Sequence, residues 1–166
     1  MPTPTIHCFS CGAEVPDIEG PVHRYLASAP GCWAYFTEVS AREYSDINYV
    51  RCHQLTVDAY AVQHPGQPSP QSIQSVAVHL ASLYMVVERN LQAREATGFI
   101  QQLSQHKAAF HWLEPPENKG SITVVQVWKT ENVQAHLQAV RAWAESAWLA
   151  WAAHHEQVKE WAGLVG

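Results

Sequence analysis

Charged side chains are scarce in this sequence, and the few cations are scattered along it. Charged residues make up 15% of the 166 positions, with ten Lys and Arg against fifteen Asp and Glu, a formal net charge of −5. Nucleic-acid binding depends mainly on clustered cations that neutralise phosphates. The sequence therefore predicts no nucleic-acid partner.

Long apolar runs and targeting signals are also missing. No stretch approaches the run of about 18 apolar residues that suggests a membrane span. The opening MPTPTIHCFSCG lacks a charged leader followed by an apolar segment. We therefore expect a cytoplasmic protein with no membrane partner. With four cysteines and no export signal, a disulfide framework is not expected either.

Two common catalytic signatures are absent. The sequence has no Gly-x-Ser-x-Gly elbow, which argues against a serine hydrolase. It also has no Gly-rich phosphate loop, which argues against a nucleotide-binding enzyme. No reaction class follows from its motifs.

Apolar side chains, in contrast, are plentiful and periodic. They form 47% of the chain and include seven Trp, which is enough for one core. Ser69 followed by Pro70 is a typical helix start, and Pro65 ends the helix before it. Spacing by threes and fours predicts one long last helix from Glu131 to Trp161. The principal helices are predicted over about 32–44, 53–63, 70–89 and 131–161. Together they indicate an all-α fold, a helical bundle of about four main helices.

The remaining segments carry weaker patterns. Residues 93–122 contain a candidate short helix and a polar loop with adjacent prolines. Thr123 and Gln126 then have the spacing of a capping box, which favours a short helix over the strand typical of β-branched residues. Residues 1–31 hold five Pro and three Gly. This density predicts an irregular N-terminal segment, followed by one compact domain over 32–166.

The N-terminal segment carries a candidate metal site. Cys8 and Cys11 form a Cys-x2-Cys pair, a spacing that lets two thiolates from one turn bind a tetrahedral ion. Cys32 is expected at a helix N-terminus, which favours its thiolate. We predict a structural zinc formed by Cys8, Cys11, His23 and Cys32, with Cys52 as an alternative to His23. Ordinary exposed thiols, or a redox pair, in this segment are the competing interpretations.

Polar side chains on apolar helix stripes suggest a second site. Asp58 shares the stripe of the second helix, and counting along two antiparallel helices places His79 beside it. His154 falls on the stripe of the last helix. Asp58, His79 and His154 are ligand types for a divalent metal within a bundle, with His64 and His155 in reserve. A hydrogen-bond network without metal is the simpler alternative.

The segments CFSCGA, LTVDAYAVQHPG and QSIQSVAVHL, with further matches across nearly the whole chain, resemble a bacterial family described as domain of unknown function five-nine-four-six. The resemblance implies no activity. It implies that the family pattern includes Cys8, Cys11, His23, Cys32, Asp58, His64, His79, His154 and His155. Cys52 does not belong to that pattern, which favours His23 as the fourth zinc ligand. The arrangement is also loosely similar to DinB-like bundles, which hold a metal with three histidines, although their ligand spacing is not reproduced.

Two hypotheses on function follow. In the first, the Asp/His cluster holds a divalent ion that activates water or a thiol cofactor, and the protein is a metal-dependent enzyme acting on a small molecule. In the second, the protein is a non-catalytic interaction module stabilised by zinc, and the polar cluster only specifies packing. The first predicts a second metal ion per chain, and the second does not.

Overall fold

The computed structural model describes residues 1–166 and consists mainly of helices that follow a small antiparallel sheet. The elements, in chain order, are β1 Thr5–His7, β2 Glu14–Pro16, α1 Pro30–Ser45, α2 Ile47–Val50, α3 His53–Gln63, α4 Pro70–Val87, α5 Ala96–Leu103, α6 Val124–Trp128, α7 Val133–Ala150 and α8 His155–Ala162. Short 3-10 turns lie at Ala93–Glu95, Ser104–Ala109 and Ala152–His154. The predicted all-α class is confirmed, and no helix has both the length and the apolar character needed to cross a membrane.

Two helices begin at the caps that the sequence supplies. The Ser69 hydroxyl accepts a hydrogen bond from the Ser72 amide at 3.0 Å, and Pro70 occupies the first turn of α4. Thr123 and Gln126 form the predicted capping box. The Gln126 side chain accepts a hydrogen bond from the Thr123 amide at 2.8 Å, and the Thr123 hydroxyl accepts one from the Val125 amide at 3.3 Å. The segment after Thr123 is therefore a short helix, α6, rather than a strand.

The prediction of one long last helix is wrong. α7 ends at Ala150, because Trp151 adopts φ −92° and ψ 20° and a 3-10 turn leads into α8. The Trp151 side chain is completely buried, and its indole N–H donates to the Val62 carbonyl of α3 at 3.1 Å. This anchor accounts for a break that the apolar spacing does not reveal, since the spacing continues through it.

The N-terminal segment is more regular than predicted. β1 and β2 pair antiparallel with Ile6 opposite Val15, and the turn that joins them contains the first two cysteines. Val15 is completely buried in the same core as the helices. This small sheet therefore packs the cysteine turn against the bundle.

The central helix, α3, positions the polar clusters described below. It packs against α1, α4 and α7, and eight of its eleven residues are buried. His53 begins the helix and His64 follows its last residue. Each end of α3 therefore brings a histidine into one of the two clusters described below.

Candidate metal centre

One buried set of side chains has the composition of a metal site. Cys8, Cys11, Cys32 and His64 each contribute one sulfur or ring nitrogen, and these atoms all lie within 4.8 Å of one another. Cys8, Cys32 and His64 are at most 2% exposed, and Cys11 is half-buried. This set, which we call the metal centre, has the geometry to hold a metal ion.

The first two ligands lie on the turn between β1 and β2. The Gly12 amide donates to the Cys8 carbonyl, and the Cys8 amide donates to the Ala13 carbonyl, both at 2.8 Å. Gly12 has a φ of 79°, in the left-handed region that favours glycine. The turn therefore closes tightly enough to bring both thiols, Cys8 and Cys11, into one set.

Cys32 lies in the first turn of α1, where that helix meets β2. A Cβ atom at position 31 would lie 2.1 Å from the Pro16 carbonyl oxygen, so only glycine fits at this contact. Gly31 thereby allows the start of α1 to approach the sheet closely. The approach places the Cys32 sulfur 3.8 Å from the Cys11 sulfur.

His64 is oriented by a hydrogen bond on the far side of its ring. Its Nδ1 lies 2.7 Å from the Tyr60 carbonyl oxygen. Because a carbonyl only accepts, Nδ1 carries the proton and Nε2 presents a lone pair to the thiols. The Tyr60 ring also stacks on the His64 ring, with 3.9 Å between centroids. Metal-binding histidines are typically oriented by a second hydrogen bond of this kind.

The separations between the donor atoms fit a tetrahedral ion. Bonds of about 2.3 Å to sulfur and about 2.0 Å to nitrogen place two sulfurs about 3.8 Å apart, and sulfur and nitrogen about 3.5 Å apart. The Cys11 and Cys32 sulfurs are 3.8 Å apart. The His64 Nε2 atom lies 3.5 Å from the Cys32 sulfur and 3.7 Å from the Cys8 sulfur. Three independent distances therefore agree with tetrahedral coordination.

The three thiols do not ionise independently. Hydrogen bonds from Cys11 and Cys32 hold the pKa of the Cys8 thiol far below its ordinary range. The pKa of Cys32 is raised, because its hydrogen bonds to Cys11 and Cys8 favour the protonated thiol and burial adds to the effect. The Tyr60 hydroxyl also donates toward the Cys32 sulfur at 3.6 Å. The other two thiols therefore favour ionisation of Cys8, and a bound cation would favour the thiolate form of all three.

His23, the fourth ligand that the sequence predicts, is not brought to this set. Its Nδ1 accepts hydrogen bonds from the Tyr25 and Leu26 amides, each at 3.3 Å. Its ring packs against Trp33, with 5.4 Å between centroids, and burial together with the neighbouring Arg24 charge lowers the pKa of His23. The imidazole therefore orders the loop before α1.

His64 takes the position that the sequence analysis gave to His23. In the sequence His64 stands at a helix end, before Pro65 and Gly66, and nothing in its spacing links it to the cysteines. The family resemblance included His64 in its pattern but favoured His23 as the fourth ligand, and His64 was kept only as a reserve for the second site. His64 reaches the cysteines because the fold brings the end of α3 back to the cysteine turn.

The second predicted site is assembled only in part. His79 Nδ1 lies 2.7 Å from the Asp58 Oδ1 atom, as the helix register predicts. His154 lies elsewhere, and its Nε2 donates to a loop carbonyl at 2.8 Å. The buried Asp58 carboxylate also accepts from Gln54 and Ser82. Three side-chain donors therefore surround Asp58, which is the arrangement of a hydrogen-bond network.

The reserve histidines also have other partners. His64 belongs to the metal centre. The His155 ring stacks on the Trp148 ring with 3.6 Å between centroids. Its Nε2 donates to the Trp148 carbonyl at 2.8 Å. His155 thus gives a second donor to a carbonyl in the last turn of α7, which also accepts from the Trp151 amide.

A second buried set of Cys, His and Glu side chains surrounds Glu43, and the sequence analysis missed it. The completely buried carboxylate of Glu43 lies 2.8 Å from His136 Nε2 and 2.7 Å from His53 Nδ1. The Thr56 hydroxyl donates to the same carboxylate, and the Cys52 sulfur lies 3.5 Å from it. Cys52, the alternative zinc ligand, therefore belongs to this set, which we call the Glu43 cluster.

The proton on His136 decides what the Glu43 cluster can bind. The Arg42 guanidinium lies 3.3 Å from His136 Nδ1 and can only donate, so Nε2 carries the proton that His136 shares with Glu43. In this protonation state His136 offers no ring lone pair to a metal ion, although its Nε2, Glu43 and Cys52 place their ligand atoms within 4.8 Å of one another. Burial alone would raise the pKa of Glu43, but hydrogen bonds from His136, His53 and Thr56 hold it below its ordinary value. The cluster is therefore a buried carboxylate together with the side chains that donate hydrogen bonds to it.

A family model matches most of this chain. The family is described as Family of unknown function (DUF5946), and the match covers residues 6–152. The span includes all four residues of the metal centre and ends before His154 and His155. Comparison with curated proteins and with solved structures found no match. Because the family match spans well over half of the 166 residues, the chain belongs to this family of unknown function.

Proposed function

We propose that this protein is a zinc-stabilised, non-catalytic domain in which one Zn²⁺ bound by the metal centre ties the N-terminal sheet to the helical bundle. A single observation carries the proposal. Four donor atoms from three distant parts of the chain, three of them on fully buried residues, lie within 4.8 Å of one another, and three of their separations match those of a tetrahedral ion.

The donor types favour zinc over other ions. Three thiolates and one imidazole in a tetrahedral arrangement are typical of structural zinc sites. No carboxylate or carbonyl oxygen belongs to the set, and these are the ligands that Mg²⁺ and Ca²⁺ require.

The closed ligand set favours a structural role over a catalytic one. A catalytic zinc keeps one position open for water or substrate, whereas four protein ligands complete the tetrahedron. The metal-dependent enzyme hypothesis needs a further ion. Asp58 and the Glu43 cluster are both satisfied by protein donors instead. The geometry therefore supports the hypothesis of a zinc-stabilised module.

The N-terminal segment needs the additional constraint that an ion provides. Before α1 begins, only a few apolar side chains enter the core, namely Cys8, Ala13, Val15, Leu26 and Ala29. Fixing the backbone of each residue opposes folding by about 1–2 kcal/mol. Binding one ion with residues from the sheet, α1 and α3 offsets part of this entropy loss, because metal-binding free energy contributes directly to folding.

The test is the metal content of the purified chain and two matched cysteine variants. Elemental analysis of protein prepared without chelators should find one zinc per chain. Cys11→Ser should lose this zinc, and Cys52→Ser, which alters a buried cysteine outside the metal centre, should retain it. Substitution with Co²⁺ should give the intense visible absorption of a tetrahedral thiolate site, which Cys11→Ser weakens. A metal-free protein whose N-terminal amides are still protected from hydrogen exchange would contradict the proposal.

A further inference from the structure

A cavity on the side of the bundle away from the metal centre combines apolar walls with clustered arginines. Its volume is about 500 Å³. Leu55 of α3, Val86 of α4 and Leu137 of α7 form part of its wall, and Leu55 and Val86 are nearly fully buried. A cavity of this size and character is suited to a small organic molecule.

The charges at this cavity all have one sign. Arg51, Arg94 and Arg141 line it, and no acidic residue does. The chain has six arginines in all and a net charge of −5, so half of its arginines meet at one place in an acidic protein. They come from three separate segments: the residue after α2, the 3-10 turn before α5, and α7. The fold itself therefore creates this positive patch.

Two of these arginines have no carboxylate partner. Arg51 and Arg94 form no ion pair and no side-chain hydrogen bond within the chain, so their guanidinium donors are free for a ligand. Arg141 is held in place, because its Nε donates to Glu145 at 2.7 Å and its Nη1 to the Val86 carbonyl at 3.4 Å. A guanidinium presents several donors in one plane and binds carboxylate or phosphate in bidentate fashion.

Cys52 also lines the cavity, and its surroundings argue for binding rather than covalent chemistry there. Burial and the neighbouring Glu43 charge raise the pKa of the Cys52 thiol, so it is not a thiolate near neutral pH. Its S–H is directed to Tyr49 and Glu43. The cavity therefore offers an apolar wall and three cations but no activated nucleophile.

We propose that this cavity binds a small amphipathic anion. Its apolar body would lie against Leu55, Val86 and Leu137, and its carboxylate or phosphate head would bind Arg51, Arg94 and Arg141. The proposal is independent of the metal centre, because no residue of that centre lines the cavity.

Calorimetric titration of the zinc-loaded protein with three eight-carbon probes tests the charge requirement. Octanoate and octyl phosphate share an anionic head, and octanol has the same apolar body without charge. We expect the better of the two anions to bind at least about tenfold more tightly than octanol, with an affinity that falls as salt rises. The ratio between octanoate and octyl phosphate identifies the preferred head group. Equal affinities for the anions and octanol, or no binding by either anion, would overturn the proposal.

Arginine variants then locate the site. Arg51→Gln and Arg94→Gln should each weaken binding of the preferred anion about fivefold, and Arg141→Gln somewhat less, since Glu145 already compensates part of its charge. Arg89→Gln is the matched control, because Arg89 is exposed on a neighbouring segment but does not line the cavity. Leu137→Ser should weaken binding of the anions and of octanol alike. If Arg89→Gln weakens binding as much as Arg51→Gln does, the anion responds to net charge and the assigned site is wrong.

Discussion

Two buried clusters of similar composition lie at opposite ends of α3, and they differ in how their polar atoms are satisfied. The metal centre at the end of the helix and the Glu43 cluster at its start both contain cysteine and a fully buried histidine. In the metal centre three thiols face one lone pair, on His64 Nε2. In the Glu43 cluster one carboxylate accepts hydrogen bonds from His136, His53, Thr56 and Cys52. The first is a set of metal-ligand atoms, and the second is a carboxylate whose hydrogen-bond partners are all supplied by the protein.

This difference comes from the partner of the ring nitrogen that faces away from the cluster, which is Nδ1 in both histidines. The Tyr60 carbonyl accepts a hydrogen bond from His64 Nδ1, so the other ring nitrogen is available to bind metal. A guanidinium of Arg42 occupies the corresponding nitrogen of His136, so the proton lies toward Glu43. Residue types alone therefore do not distinguish a metal site from a hydrogen-bond network, whereas the neighbours of each histidine do.

The largest effect should come from removing a ligand of the metal centre. Cys32→Ser is expected to abolish zinc binding and to lower the free energy of unfolding by at least about 4 kcal/mol, because metal binding contributes directly to folding. Denaturant unfolding measures the loss, and hydrogen exchange should place it first in the segment before α1. A Cys32→Ser protein that keeps both its zinc and its stability would show that the ion, if bound, is held elsewhere.

The Glu43 cluster should respond in stability but not in metal content. Glu43→Gln keeps the side-chain shape but removes the charge and leaves a buried donor facing His136 or His53. Breaking a buried charged network in this way lowers the free energy of unfolding by about 3 kcal/mol. Elemental analysis of the same variant should still find one zinc. Loss of zinc from Glu43→Gln would mean that the two clusters are not independent.

The natural protein and Glu43→Gln, compared over a range of pH, test the ionisation of Glu43. Burial alone would raise its pKa, but hydrogen bonds from His136, His53 and Thr56 hold it below the ordinary value of 4.5. The stabilisation from the ionised carboxylate is therefore complete above the unfolded-state pKa and is lost as the pH falls through the folded-state pKa. We expect the stability difference between the natural protein and Glu43→Gln to shrink as the pH falls below about 4.5. Acid release of zinc affects both proteins and cancels in the difference. A difference that stays constant in acid would contradict this assignment.

Local signals in the sequence were enough for most of the helices and for three thiols of the metal centre. Ser69 with Pro70, and Thr123 with Gln126, determine helix starts through their own backbone contacts. The interruption at Trp151 depends instead on a carbonyl of α3, a residue far away in the sequence. Apolar spacing contains no information about such a partner.

The histidine ligands show the same limit. Counting helix turns placed His79 beside Asp58, because two antiparallel helices with a short link have a fixed register. No comparable rule relates the end of α3 to the cysteine turn, so the sequence analysis chose the nearer His23. Glu43 was within reach of the argument used for Asp58, since it follows Phe36 by seven residues and Val39 by four on the buried face of α1. Its partner His136 lies 93 residues further on.

The smallest effect is expected at His23, and it separates the two candidate fourth ligands. His23→Ala removes an acceptor for the Tyr25 and Leu26 amides and a ring beside Trp33. The free energy of unfolding should fall by about 1 kcal/mol, the usual contribution of such local hydrogen bonds, while one zinc per chain is retained. His64→Ala, made in parallel, should lose the zinc or bind it far more weakly, because His64 is the one histidine of the metal centre and its Nε2 lies 3.5 Å and 3.7 Å from the Cys32 and Cys8 sulfurs. The opposite pattern, zinc lost with His23→Ala and kept with His64→Ala, would return the fourth position to His23 and would require the loop before α1 to fold back onto the cysteine turn.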